Sequence, residues 1–166
     1  MSDAADWTSF YLMVGGAAAA LTGLIFVAIT IHTRPIMSDI IHRDRAWSSI
    51  AILAAQVTIA AAVLVPAQPV RLLGLEVALI GTYWIYRTLR ALRDLGPSMR
   101  AQVRPSVRWQ VEWAFWIVWV AAFVGAAIAL LVDSGAVGFP LLALAMVGMI
   151  AFAIWNAWVL ISEVSD

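Results

Sequence analysis

The sequence predicts an all-α membrane protein: a bundle of five transmembrane helices with its N-terminus outside and its C-terminus in the cytoplasm. Three observations carry that expectation. The composition is 64% hydrophobic against 12% charged, with a mean hydropathy of +0.94, outside the range of soluble domains. Apolar segments at about 10–31, 47–65, 70–88, 111–132 and 139–161 each approach the ~20 residues that a bilayer core requires. None alternates with period two as barrel strands do, and only helices or closed barrels satisfy their backbone in lipid. Finally, the arginines gather in two of the connections, which sets the orientation. The whole chain, 1–166, reads as a single integral membrane domain.

The first span is the apolar run from Gly15 to Ile29 with its flanks. Asp3 and Asp6 precede it without any basic residue, so it reads as a retained span and not a cleaved signal. Gly15, Ala19 and Gly23 recur at small-xxx-small spacing, the pattern that lets a neighbouring backbone come close. Pro35 biases Arg34 away from the α region, so the helix is expected to stop near Thr33. Ser38 or Asp39 then caps a helix whose polar first turns lead into the second span.

The second and third spans are joined by Pro66-Ala67-Gln68-Pro69, room for only a tight turn. The third helix is expected to outrun the membrane along Arg87, Arg90 and Arg93 and to end at Gly96-Pro97. Pro105 suits the first position of the fourth helix and Pro140 that of the fifth.

Orientation follows from charge. Arg34, Arg43 and Arg45 lie in the first connection, and the arginine-rich loop 89–110 holds Arg90, Arg93, Arg100, Arg104 and Arg108, with Arg87 just before it. The opposite side has only Arg71, beside Asp3, Asp6 and Asp133. The positive-inside rule puts the arginine-rich side in the cytoplasm. Those five loop arginines are the expected contacts for anionic lipid headgroups or a protein partner. Most of the nine tryptophans fall near span ends, as an interfacial belt requires. Trp116 and Trp119 lie deeper, where they either pack or line a pocket for a lipid or a quinone-like ring.

The residue most out of place is Glu76, inside the third span. A carboxylate there costs roughly 2.5 kcal/mol or more, so it must be neutral, paired or facing water. Counting outward from the Ala67–Gln68 turn sets Gln56 and Thr58 at similar depth. At 100° per residue, Gly74, Ala78 and Gly81 share one face of the third helix, with Glu76, Tyr83 and Arg87 opposite. On the second helix Ala51, Ala55, Thr58 and Ala62 form a small-residue face, with Ser49 and Gln56 across from it. If the small faces make the close contacts, Glu76 and Gln56 point away from them, towards a wet cavity, another helix or a second subunit. Glu76, Gln56, Thr58 and Tyr83 are thus the expected polar intramembrane site. Gly15, Ala19, Gly23, Gly74 and Gly81 are the expected packing positions.

Several chemistries have no support. The chain has no cysteine, which removes thiol catalysis and Cys-based metal sites. His32 and His42 lack metal-ligand spacing, and there is no phosphate loop, His-Glu-x-x-His or Gly-x-Ser-x-Gly motif. No catalytic residue, metal, cofactor or nucleic-acid partner is expected, and the chain does not read as an enzyme.

Trp7 and Phe10, the run from Gly15 to Ile29, Arg45-Ala46, and Val65-Pro66-Ala67-Gln68-Pro69 with Leu73-Gly74-Leu75-Glu76 resemble a family of small, uncharacterised bacterial integral membrane proteins. Some members are labelled "modulator of FtsH protease". The resemblance covers about the first half of the chain. It implies a multi-pass protein of the bacterial cytoplasmic (inner) membrane and supplies no activity. Two functional expectations follow from the residues: an oligomeric channel or transporter for an ion, proton or small solute, or a non-conducting accessory subunit of a larger membrane complex.

Overall fold

The computed structural model describes residues 4–38, 40–94 and 107–164. They form α1 (Ala4–Ile31), α2 (Thr33–Ser38), α3 (Ile40–Val63), α4 (Val70–Asp94), α5 (Val107–Leu131) and α6 (Gly135–Val164), with no strand among the described residues. Among the described residues, four stretches are long and apolar enough to cross a membrane: Asp6–Ile31, His42–Val63, Ala114–Leu131 and Gly135–Ser162. The protein therefore has the helices of an integral membrane protein. α4 is not among the four, because Glu76 and the arginines at 71, 87, 90 and 93 dilute its apolar character.

The helices gather into two compact units, residues 1–68 with 146–166, and residues 69–145. In the first, α1 and α3 run antiparallel. Gly15 lies so close to Ala60 that a β-carbon on it would stand 2.7 Å from the Ala60 Cβ, while at the other end Ile29 packs against the Ala46 cluster. The α1 face that is buried carries Tyr11, Val14, Ala18 and Ile25. In the second unit α4 and α5 are likewise antiparallel. A β-carbon on Gly74 would stand 2.6 Å from the Leu131 nitrogen, and one on Gly81 3.0 Å from the Phe123 ring. α5 and the start of α6 form a third antiparallel pair, with Gly138 against Leu130 and Gly125 against Leu141.

Small residues at these crossings are what lipid demands. Acyl tails are as apolar as leucine, so helices associate through van der Waals contact at short range. The expectation for Gly15, Gly74 and Gly81 agrees with these contacts. Ala19 and Gly23 differ: both are exposed, and Gly23 has nothing within 4 Å of an added β-carbon. Ala18, one residue away from the predicted stripe, takes the buried place.

The helix ends follow backbone chemistry, with two departures from expectation. Pro35 does not end the helical path. α1 stops at Ile31, and a six-residue helix resumes at Thr33 with Pro35 in its first turn, where a missing N–H is tolerated. Helical bonds from His32 N to the Ala28 carbonyl (3.3 Å) and from Ile36 N to the His32 carbonyl (3.2 Å) bridge the break. Pro140 sits inside α6 and not at its start, because the preceding turn is closed by other means. Asp133 adopts φ 65°, its N–H donates to the Leu130 carbonyl (3.0 Å), and the Ser134 N–H donates to that of Ala129 (2.8 Å). This is a Schellman end to α5. Ser134 then accepts from the N–H groups of Val137 and Gly138 and opens α6. Between α3 and α4, Ala67 takes φ 55°, and Pro69 accepts from Leu72 and Leu73 to start α4. Pro105 and Gly96-Pro97 lie outside the described residues.

Gly74→Ala is expected to lower stability by about 1–3 kcal/mol, because backbone cannot yield to an overpacked β-carbon as a side chain can. Gly23→Ala, with open space around it, should be neutral or stabilising by up to roughly 1 kcal/mol. Unfolding of both variants in mixed micelles, followed by circular dichroism, checks the contrast.

Candidate functional site

The polar residues of the spans fall into two chemical groups. Short hydroxyl side chains are satisfied within their own helix. Thr22 donates to the Ala18 carbonyl (2.8 Å), Ser49 to Arg45 (3.0 Å), Thr58 to Ala54 (3.0 Å) and Thr82 to Ala78 (2.8 Å). Such back-bonding makes a hydroxyl acceptable almost anywhere along an apolar helix. Longer polar groups cannot reach their own backbone so easily, and they mark the candidate site.

Gln56 is the clearest of these. It sits on α3 with only 3% of its surface exposed, and its Oε1 is buried without a hydrogen-bond partner among the described residues. It shares its face with Ser49, Ile52, Leu53, Ile59 and Val63, all buried. The expectation that Gln56 points away from the helix contacts is therefore corrected. The bulky aliphatics define the packed face of α3, while Thr58, with its hydroxyl satisfied at home, is exposed. Gln56 and Thr58 thus stand on opposite sides of α3.

In the second unit, Glu76 is half-buried and Tyr83 exposed, on the α4 face opposite Gly74 and Gly81, as the angular reading predicts. Arg71, five residues before Glu76, pairs instead with Asp133 across the α4–α5 contact (3.6 Å), both side chains being well exposed. Such a pair contributes about 0–1 kcal/mol; its position matches the level at which Gly74 meets Leu131. Gln56 and Glu76 belong to different units.

No family model, curated protein or solved structure matches the chain. The site is therefore read from its own chemistry.

Of the loop arginines, Arg90 and Arg93 are exposed on the last turns of α4. Arg100 and Arg104 lie outside the described residues, and Arg108 is the second residue of α5. Arg87, just before them, sets its guanidinium 5.7 Å from the centre of the Trp84 ring, a cation–π contact that shields the charge close to the apolar region. Among the described residues no group of three His, Asp or Glu side chains could hold a metal ion.

One site residue was only half visible in the sequence. Trp119 packs edge-on against Phe115 (5.3 Å between ring centres) and buries its Nε1 without an acceptor among the described residues. Its depth within the span was the available signal; that its indole would lack a partner was not.

Gln56→Leu removes an unsatisfied buried acceptor and should leave stability unchanged or raise it by about 1–3 kcal/mol. Thr58→Val, on the exposed side, should change it by less than about 0.5 kcal/mol. Unfolding midpoints of the two variants in one detergent system test the assignment.

Proposed function

We propose that this chain is a small oligomeric protein of the bacterial cytoplasmic membrane whose intramembrane polar residues form a site or narrow conduit for a proton, an ion or a small solute. The observation that carries the reading is Gln56: a carboxamide oxygen buried in an apolar span with no hydrogen-bond partner among the described residues. An unsatisfied acceptor of this kind costs about 1–3 kcal/mol, a penalty expected where a polar group serves a function. In the other unit, α4 carries polar residues of its own within its apolar stretch, Glu76 and Tyr83.

The reading takes α4 as a fifth span, with the N-terminus outside. Its support is the antiparallel contact with α5: a helix that meets a span at Gly74 and again at Gly81 shares its depth over that interval. Placing the arginine-rich end of α4 in the cytoplasm agrees with the positive-inside rule. Oligomerisation is supported by α1, of whose span only 22% is buried within the chain. The resemblance of the first half of the sequence to small bacterial membrane proteins supports the location.

A second reading, a non-conducting accessory subunit of a larger membrane complex, draws on the exposed Arg93 at the end of α4 and on the same outward face of α1. Liposomes loaded with a pH-sensitive dye separate the two. In the first reading wild-type protein dissipates an imposed proton or ion gradient. Glu76→Gln slows it by about tenfold or more, the effect of losing roughly 1.4 kcal/mol at the rate-limiting step. Tight liposomes with wild-type protein overturn the conduit and favour the accessory role.

A further inference from the structure

α4 is the most one-sided of the long helices. Gly74 and Gly81 meet α5, and Leu73 and Val77 beside them are buried. On the other side Leu72, Leu75, Leu79, Thr82, Tyr86 and Leu89 are all exposed, the leucines and Tyr86 by between 46% and 63%. Their spacing alternates between three and four residues. This is a heptad repeat, with Leu72, Leu79 and Tyr86 at a and Leu75, Thr82 and Leu89 at d, the seam along which two helices supercoil left-handed. Thr82 is no obstacle in it, because its hydroxyl donates to the Ala78 carbonyl (2.8 Å).

In lipid such a seam selects nothing by itself, since acyl chains cover leucine as well as another helix does. The charges that flank it decide what covers it. Arg71 falls at g and Glu76 at e, on either side of the seam. At 100° per residue they stand about 140° apart round their own helix, too far to face each other. Across a parallel pair of helices, however, a g residue meets the e residue five positions further along the other chain. Arg71 and Glu76 have that spacing. A second copy of this chain therefore brings each Arg71 to the partner's Glu76, twice by symmetry. Arg71 engages Asp133 through Nε, and the terminal nitrogens of a guanidinium are further donors that suit a carboxylate. The other flanking pairs, Ala78 with Tyr83 and Ile85 with Arg90, set no like charges together. Arg93, at the next a position, meets its own copy, so the contact ends before it.

We propose that α4 is the interface of a parallel homodimer, zipped along the seam 72–89 and clamped by reciprocal pairing of Arg71 with Glu76. The proposal rests on the reading of α4 as a span, because two copies inserted the same way in one membrane have parallel α4 helices. It gives the carboxylate inside that span the cation it needs to leave lipid, and the cation comes from the second copy. It does not depend on conduction.

The chain has no cysteine, so single introduced cysteines report contacts cleanly. Full-length protein carrying Leu75→Cys or Leu79→Cys is oxidised in the membranes of the expressing cells and separated without reductant. Both should cross-link into dimers, whereas Leu24→Cys, on α1 and 68% exposed, should not, since a disulfide needs close Cα atoms. Adding Glu76→Arg, which sets like charges together, should lower the Leu79→Cys dimer roughly tenfold or more. Adding Arg71→Glu as well should restore it. Glu76→Gln, a change small enough to keep the fold, should lower it in the same direction. No dimer at either seam position, an equally abundant Leu24→Cys dimer, or a dimer indifferent to both Glu76 substitutions overturns the proposal. So does a folded double reversal that stays monomeric. The liposome assay fails separately: tight liposomes that hold the cross-linked dimer remove the conduit alone, and a leak without the dimer removes this interface alone.

Discussion

Close approach of backbone to backbone is the constraint on which this architecture depends. Water drives soluble helices together by expelling their apolar faces, but acyl chains solvate leucine as well as another helix does. What remains is short-range attraction, worth only about 0.1–0.2 kcal/mol per atom pair, which requires many atoms within contact distance. Gly74 against the Leu130–Leu131 backbone and Gly15 against Ala60 provide that density. Once α4 is seated on α5 at Gly74, the register of the pair is fixed, and Arg71 comes level with Asp133 as a consequence. The ion pair follows the packing and does not create it, since an exposed pair is too weak to set register.

The turns obey the same economy of space. Between α5 and α6 only Val132, Asp133 and Ser134 lie outside the helices, so the chain must reverse without leaving carbonyls unpaired near lipid. A residue with positive φ at 133 lets two N–H groups turn back onto the end of α5. Aspartate accepts this left-handed conformation better than most side-chain-bearing residues. It also carries the carboxylate that meets Arg71, so one residue serves both turn and contact.

How far the sequence could be read depended on polarity within each helix. In α4 the charged and polar residues lie on one side, so an angular plot separates Gly74 and Gly81 from Glu76 and Tyr83, and the observed packing agrees. α1 is apolar all round and the membrane-spanning part of α3 nearly so; such helices give no directional signal. There the small-residue rule misassigned faces. It chose Ala19 and Gly23 on α1 where Ala18 is buried, and on α3 it took the small-residue face for the packed one, where the face that carries Gln56 is buried. Helix existence was legible from length and hydropathy, whereas Pro35 and Pro140 misled at the ends. Proline restricts its neighbours locally, but whether a helix resumes past it is decided by bonds such as those across His32, which involve residues on both sides of the break.

Thr58 and Gln56 lie two residues apart on α3 and meet opposite fates, and the difference lies in side-chain reach. A threonine hydroxyl sits one bond from Cβ and finds the carbonyl of residue i−4 within hydrogen-bond distance, as at Ala54. It is therefore indifferent to whether lipid or protein surrounds it. A glutamine carboxamide lies farther out and has four hydrogen-bonding sites to satisfy, which its own helix does not provide. Buried on the same face as Leu53, Ile59 and Val63, its Oε1 has no hydrogen-bond partner among the described residues, at a cost that a leucine of similar size would avoid. A hydroxyl in a span is thus weak evidence of function, because its burial costs little. A buried amide is stronger evidence, because packing alone would be better served by an apolar side chain.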